Sequence, residues 1–150
     1  MTPLKIYTIR SKNTSNVWVF KYDLNGNLAG FEVLEGILNE EQISWFFEKR
    51  RFPYLEIHIH EWQKKLRANF EITIGDPDLS FENAWEIFGH KVDKKLAQSA
   101  WSKAGKEVKI KFFLSMPAYK RYLNRKGVAQ ISFERYVKRE KYNDEFDKIK

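Results

Sequence analysis

Asn25-Gly26 stands between two stretches rich in β-forming residues, Val17-Trp18-Val19-Phe20-Lys21-Tyr22 and Leu28-Ala29-Gly30-Phe31-Glu32-Val33-Leu34. An asparagine–glycine pair takes up the positive backbone dihedrals of a tight reversal at little steric cost, so this placement predicts an antiparallel hairpin. Upstream, Leu4-Lys5-Ile6-Tyr7-Thr8-Ile9 alternates apolar and polar residues and leads into a polar turn at residues 11–16. Period-two alternation of this kind predicts a half-buried strand. The chain therefore opens with three antiparallel strands.

A helix is expected next. Asn39 can cap it, with Gln42 three residues later in the reciprocal capping position. Ile43, Phe46 and Phe47 share one face at helical spacing, and Pro53 stops the segment. Residues 54–68 admit two readings. Leu55, Ile57 and Ile59 alternate as in a strand, whereas Leu55, Ile59, Trp62 and Leu66 keep helical spacing. The second pattern runs further and predicts a helix. Phe70-Glu71-Ile72-Thr73-Ile74 reads as a short strand, and Gly75-Asp76-Pro77-Asp78 is the strongest boundary signal in the chain.

Beyond it the period changes to that of helices. Ser80 caps a helix with Phe81, Ala84, Trp85 and Phe88 on one stripe and Gly89 at its end. Residues 91–104 form a second, with Leu96, Ala97, Ala100, Trp101 and Ala104 on its apolar face. A third is expected over 107–115, a fourth from Pro117 to Leu123 before Gly127, and a last one over 133–146, capped by Ser132. The fold class is α+β: a small antiparallel sheet with one or two helices over 1–76, then a basic helical module of four to five short helices over 77–150.

Charge is distributed unevenly. The net charge of +7 divides into −1 over residues 1–79 and +8 over residues 80–150. A positive field of that kind attracts polyanions. The absence of cysteine rules out disulfides, thiol nucleophiles and thiolate metal sites. No run approaches the roughly 18 apolar residues of a membrane helix, and the start lacks the pattern of a secretory signal. These features lead us to expect a soluble cytoplasmic protein with no membrane association.

Two cationic rows are the candidate site. Lys91, Lys94, Lys95 and Gln98 follow i, i+3, i+4, i+7 spacing beside the apolar stripe, and Arg135, Lys138, Arg139 and Tyr142 repeat it on the last helix. Such rows hold donors at phosphate spacing, and Tyr142 is placed to stack on a base. Trp85, Phe88 and Trp101 lie on apolar stripes and read as core. His58 and His60, near Glu56 and Glu61, lack a third ligand at a recognisable spacing and read as an exposed polar face rather than a metal site. His90 has no partner to make it a base. Glycine-rich phosphate loops and nucleophile elbows are missing, so we expect neither catalysis nor a cofactor.

The pattern Phe81-x-x-Ala84-Trp85-x-x-Phe88-x-x-Lys91-Val92-x-Lys94-Lys95-x-Ala97-x-x-Ala100-Trp101 resembles a helical domain of phage and prophage replication proteins. The segment from Phe133 to Tyr142 is similar to that domain's closing element, and small proteins of Bacteroidetes phages or prophages look alike over more of the chain. Ala84, Phe133 and Tyr142 depart from the pattern, where an aromatic, a proline and a tryptophan are usual. The resemblance implies a DNA-binding accessory role in phage or prophage replication, with nucleic acid (DNA before RNA) and replisome proteins as partners. Lys91, Lys94 and Lys95 match its basic positions. The alternative is a protein–protein adaptor that docks a host or phage partner through the aromatic-rich N-terminal half.

Overall fold

β1 (Lys5–Ser11), β2 (Val17–Tyr22), β3 (Leu28–Glu35) and β4 (Phe70–Gly75) form one antiparallel sheet in the order β3-β2-β1-β4. They belong to a computed structural model that describes residues 2–150. The chain divides into two compact units, Leu4–Pro77 on the one hand and Asp78–Lys150 with residues 2–3 on the other. An α+β architecture with the helices mostly after the sheet is what the change of period at Gly75-Asp76-Pro77-Asp78 implied.

In the sheet unit, Gly26 has φ 83° at the tip of the β2–β3 hairpin. The Asp23 carboxylate accepts from the amides of Asn25 and Asn27 at 2.9 and 3.0 Å, which fixes the reversal. β2 is central and β1 bridges it to β4, pairing Ile9 with Trp18 on one side and with Ile72 on the other. Tyr7, Ile9, Trp18, Phe20 and Tyr22 from the sheet pack on Phe46, Ile59 and Trp62 from the helices.

α1 (Glu40–Ile43) carries the expected reciprocal cap: Gln42 N–H donates to Asn39 Oδ1, and Asn39 N–H to Gln42 Oε1, both at 2.9 Å. The shared face of Ile43, Phe46 and Phe47 does not survive. After one turn the helix widens into a π-helical turn, Ser44–Glu48, closed by Lys49 N–H on the Ser44 carbonyl at 3.0 Å. The extra residue per turn shifts the phase, so Phe46 is buried while Ile43 and Phe47 face solvent. α2 (Glu56–Lys65) settles the two readings of residues 54–68 in favour of helix. Ile59 and Trp62 are buried three residues apart, whereas Ile57 is exposed.

In the helical unit, α3 (Phe81–Phe88) starts at Ser80, whose hydroxyl accepts the Asn83 amide, and stops at Gly89 with φ 80°. α4 (Lys94–Lys103) starts three residues later than its sequence pattern suggested. Asp93 has φ 53°, a left-handed conformation that breaks the helical path between Lys91 and Lys94.

α5 (Lys106–Lys126) replaces the two helices expected on either side of Pro117, which lies inside it. A proline in a helix interior costs about 3 kcal/mol. Phe112, Phe113, Met116 and Tyr119 are buried on both sides of it, and that continuous stripe outweighs the missing amide.

α6 (Phe133–Lys138) is shorter than the expected 133–146. Glu140 has φ 51°, and the chain continues as two 3-10 turns, Lys141–Asn143 and Phe146–Lys148. A straight helix would carry Phe146 about 20 Å along the axis from Phe133. The reversal instead seats it, buried, with its ring 4.9 Å from Tyr119 and 5.2 Å from Tyr122. No helix among the described residues is long and apolar enough to cross a membrane.

Candidate nucleic-acid interface

α4 and α6 bury their apolar faces in one aromatic core, where Trp101 and Phe133 have ring centroids 5.7 Å apart. Ala97, Ala100 and Trp101 of α4 and Phe133, Tyr136 and Val137 of α6 are the buried positions. The charged residues between them are thereby turned outward. Trp85 and Phe88 join the same core, with centroids 5.9 and 5.3 Å from Phe133. Trp101 Nε1–H donates to the Leu79 carbonyl at 3.0 Å, so its polar edge is satisfied internally.

The two predicted rows come apart in instructive ways. Lys91 lies in the loop before α4, outside the helical row, and its Nζ contacts Glu86 Oε1 at 2.6 Å. That lysine holds the exposed Glu86 carboxyl below its ordinary value. Lys94 and Lys95 occupy the first turn of α4, both exposed. Asp93 supplies no side-chain cap there. Two lysines at the positive end of a helix oppose its dipole, so local helix stability does not explain them.

Arg135, Lys138 and Arg139 are all exposed, although Lys138 is engaged by Glu134 at 2.8 Å. Tyr142 leaves the row altogether. It sits in the 3-10 turn after the left-handed Glu140, half-buried beside Lys111 and Leu114 at the wall of a cavity of about 470 Å³. Burial, chiefly, raises its phenol above the ordinary range. The reason is the early end of α6, which sequence spacing alone did not reveal. Among the described residues, Lys94, Lys95, Arg135 and Arg139 keep exposed heads with no acidic partner, as do Lys103 and Lys106, while most other cations of the unit are engaged.

A second polar cluster lies in the sheet unit. Tyr7 Oη donates to Glu56 Oε2, which Lys5 Nζ also contacts at 3.0 Å. His60 Nε2 lies 3.1 Å from Tyr7 Oη. Since the phenol gives its proton to Glu56, the imidazole serves as donor to the phenol oxygen. Burial alone would raise the Glu56 carboxyl, but the Tyr7 hydroxyl, Lys5 and His60 outweigh it and hold the group below its ordinary value. Burial, then Glu56, pushes Tyr7 far above the usual phenol range.

Glu56 therefore clasps β1 to α2, and His60, exposed as expected, adds to the clasp through Tyr7. The i, i+4 spacing of Glu56 and His60 was visible in the sequence, but their partners, Lys5 and Tyr7, lie about fifty residues away. A carboxylate already occupied by donors is poorly suited to act as a base. No group of three or more ligating side chains able to hold a metal ion occurs among the described residues.

Residues 76–147 match the family described as Legionella vir region protein LvrA C-terminal domain, a segment that takes in α3 to α6. No curated protein and no solved structure matches the chain.

Proposed function

We propose that residues 78–150 form a non-catalytic nucleic-acid-binding module, DNA its first target, that serves as an accessory in phage or prophage DNA replication. The single observation that carries the binding is the set Lys94, Lys95, Arg135 and Arg139. These four exposed cations have no acidic partner among the described residues; three stand on α4 and α6, packed through Trp101 and Phe133, and Arg139 closes the end of α6. Rigid helices keep such charges extended toward solvent, where phosphates replace water and release counterions on binding. The replication setting is supported by the Phe81-to-Trp101 resemblance. The matched family's description names a vir region and no ligand.

Charge reversal separates a site from bulk charge. Lys95→Glu with Arg139→Glu changes net charge by the same amount as Lys148→Glu with Lys150→Glu. In anisotropy titrations at fixed salt, the first pair should weaken DNA binding roughly ten-fold or more, and the second much less. Equal affinities of the two double variants, both folded by circular dichroism, would sink the reading.

A further inference from the structure

The π-helical turn Ser44–Glu48, the segment after it and α2 line a groove of about 590 Å³ in the sheet unit. Trp45 and Trp62, with centroids 5.3 Å apart, lie along it with Phe46. Phe47 and Tyr54 border it, and each is 60% exposed. Neither ring is loose: Phe47 stacks on Phe52 at 5.3 Å, and Tyr54 meets His58 edge-on at 4.7 Å. Arg50, Arg51 and Lys65 are exposed at the same groove, and none has an acidic partner among the described residues. Glu61 is the one carboxylate in the lining.

Several costs converge here. Two large aromatic faces remain in water instead of joining the core beside them. Arg50 adopts φ 54°, a left-handed conformation that strains a non-glycine residue. The Leu55 amide donates to His58 Nδ1 at 3.3 Å, so the neutral ring carries its proton on Nε2, as a donor. Fixed aromatic faces interleaved with unpaired guanidinium and ammonium groups suit a ligand with flat rings joined by anionic links. A duplex hides its base faces, whereas a single strand offers them.

We infer that this groove binds single-stranded nucleic acid, with Phe47 and Tyr54 stacking on bases and Arg50, Arg51 and Lys65 contacting phosphates. The site goes beyond the cations of α4 and α6 and stands on separate residues.

Anisotropy titrations of the full chain with labelled oligo(dT), oligo(U) and a hairpin duplex test it. Phe47→Ala and Tyr54→Ala should each weaken oligo(dT) binding about ten-fold, leaving duplex affinity unchanged. Arg51→Glu should weaken both single strands without touching a stacking ring. Both aromatic positions are exposed, so melting curves of the alanine variants should match wild type; if Phe47→Ala shifts the melt, Tyr54→Ala carries the test.

Unchanged oligo(dT) affinity in Tyr54→Ala and Arg51→Glu overturns the groove. So does binding of an acidic tyrosine-containing peptide, competed by neither oligonucleotide, which would make the groove a protein-docking site. The Lys95→Glu/Arg139→Glu variant keeps the two sites distinguishable. Loss confined to that variant overturns the groove alone, and loss confined to the groove variants overturns the helical interface alone.

Discussion

The hydroxyl oxygens of Ser115 and Tyr136 lie 2.6 Å apart inside the helical unit, linking α5 to α6. Ser115 gives its only proton to the Phe112 carbonyl at 2.7 Å, so the phenol is the donor to Ser115. Tyr136→Phe keeps the ring among Phe88, Phe112 and Tyr119 and removes this one bond. It should cost about 0.5–1.5 kcal/mol. Ser115→Ala strands the buried phenol and should cost more, about 1–3 kcal/mol. Urea unfolding at constant slope measures both; a neutral Ser115→Ala would mean that the phenol finds water or another acceptor.

Trp85 and Trp101 are 7% and 3% exposed, and each packs on Phe133. Trp85→Ala and Trp101→Ala should each destabilise the protein by about 3–5 kcal/mol. Trp101→Phe separates the ring from its polar edge: it loses the bond to the Leu79 carbonyl and should cost less than Trp101→Ala. A variant that kept its melting temperature while losing DNA binding would show that the ring is a contact surface.

For the helical interface, the logarithm of DNA affinity should fall linearly with the logarithm of salt concentration. Lys94, Lys95, Arg135 and Arg139 without acidic partners imply a slope corresponding to about four neutralised phosphates. A flat dependence would indicate contacts other than phosphates, and no binding at about 50 mM salt would remove the nucleic-acid reading altogether.

Glu56 sets an acid limit on the sheet unit. Its carboxyl is held below the ordinary value of 4.5 in the folded protein, so its contribution to stability is fully present above that value. That contribution is lost as pH falls through the lowered folded value, when the proton displaces Lys5 and Tyr7 as partners. Glu56→Gln should therefore lower the melting temperature at neutral pH and flatten its decline on acidification below about 4.5. Parallel wild-type and variant curves down to strong acid would contradict the clasp.

Local signals survived wherever one turn or one face decided the structure. Asn25-Gly26, the Asn39–Gln42 cap, the Ser80 cap and the Gly89 stop all depend on residues a few positions apart, and each forms as read. Pro117 misled because a proline's cost is local whereas the buried stripe from Phe112 to Tyr119 is tertiary. The same holds for α6: periodicity through residue 146 could not register that Phe146 belongs against Tyr119.

At the candidate site, Lys94, Lys95, Arg135 and Arg139 were legible as a charge pattern. The pairing of Lys91 with Glu86 and the withdrawal of Tyr142 were not: left-handed Asp93 and Glu140 break the two helical rows, and spacing alone does not register a positive φ. The Phe47–Tyr54 groove was invisible for a related reason. A π-helical turn leaves no periodic signature, and sequence spacing put Phe47 on one face with Ile43 and Phe46 without deciding between core and exposed patch.

The pairing of β1 with both β2 and β4 has a kinetic consequence. Arg10 meets Val17 across a short turn, but Thr8 meets Thr73 only after the intervening helices have been threaded. Closing that long loop costs more chain entropy than closing the hairpins, so the β1–β2–β3 meander should assemble first and await its fourth strand. Until then β1 is an open edge, able to pair with another chain. Pulse-labelled amide exchange during refolding should protect β1 protons directed at β2 before those directed at β4. Slowing the last step, for instance by lengthening the segment before Phe70, should favour aggregation during refolding without changing what the finished fold looks like.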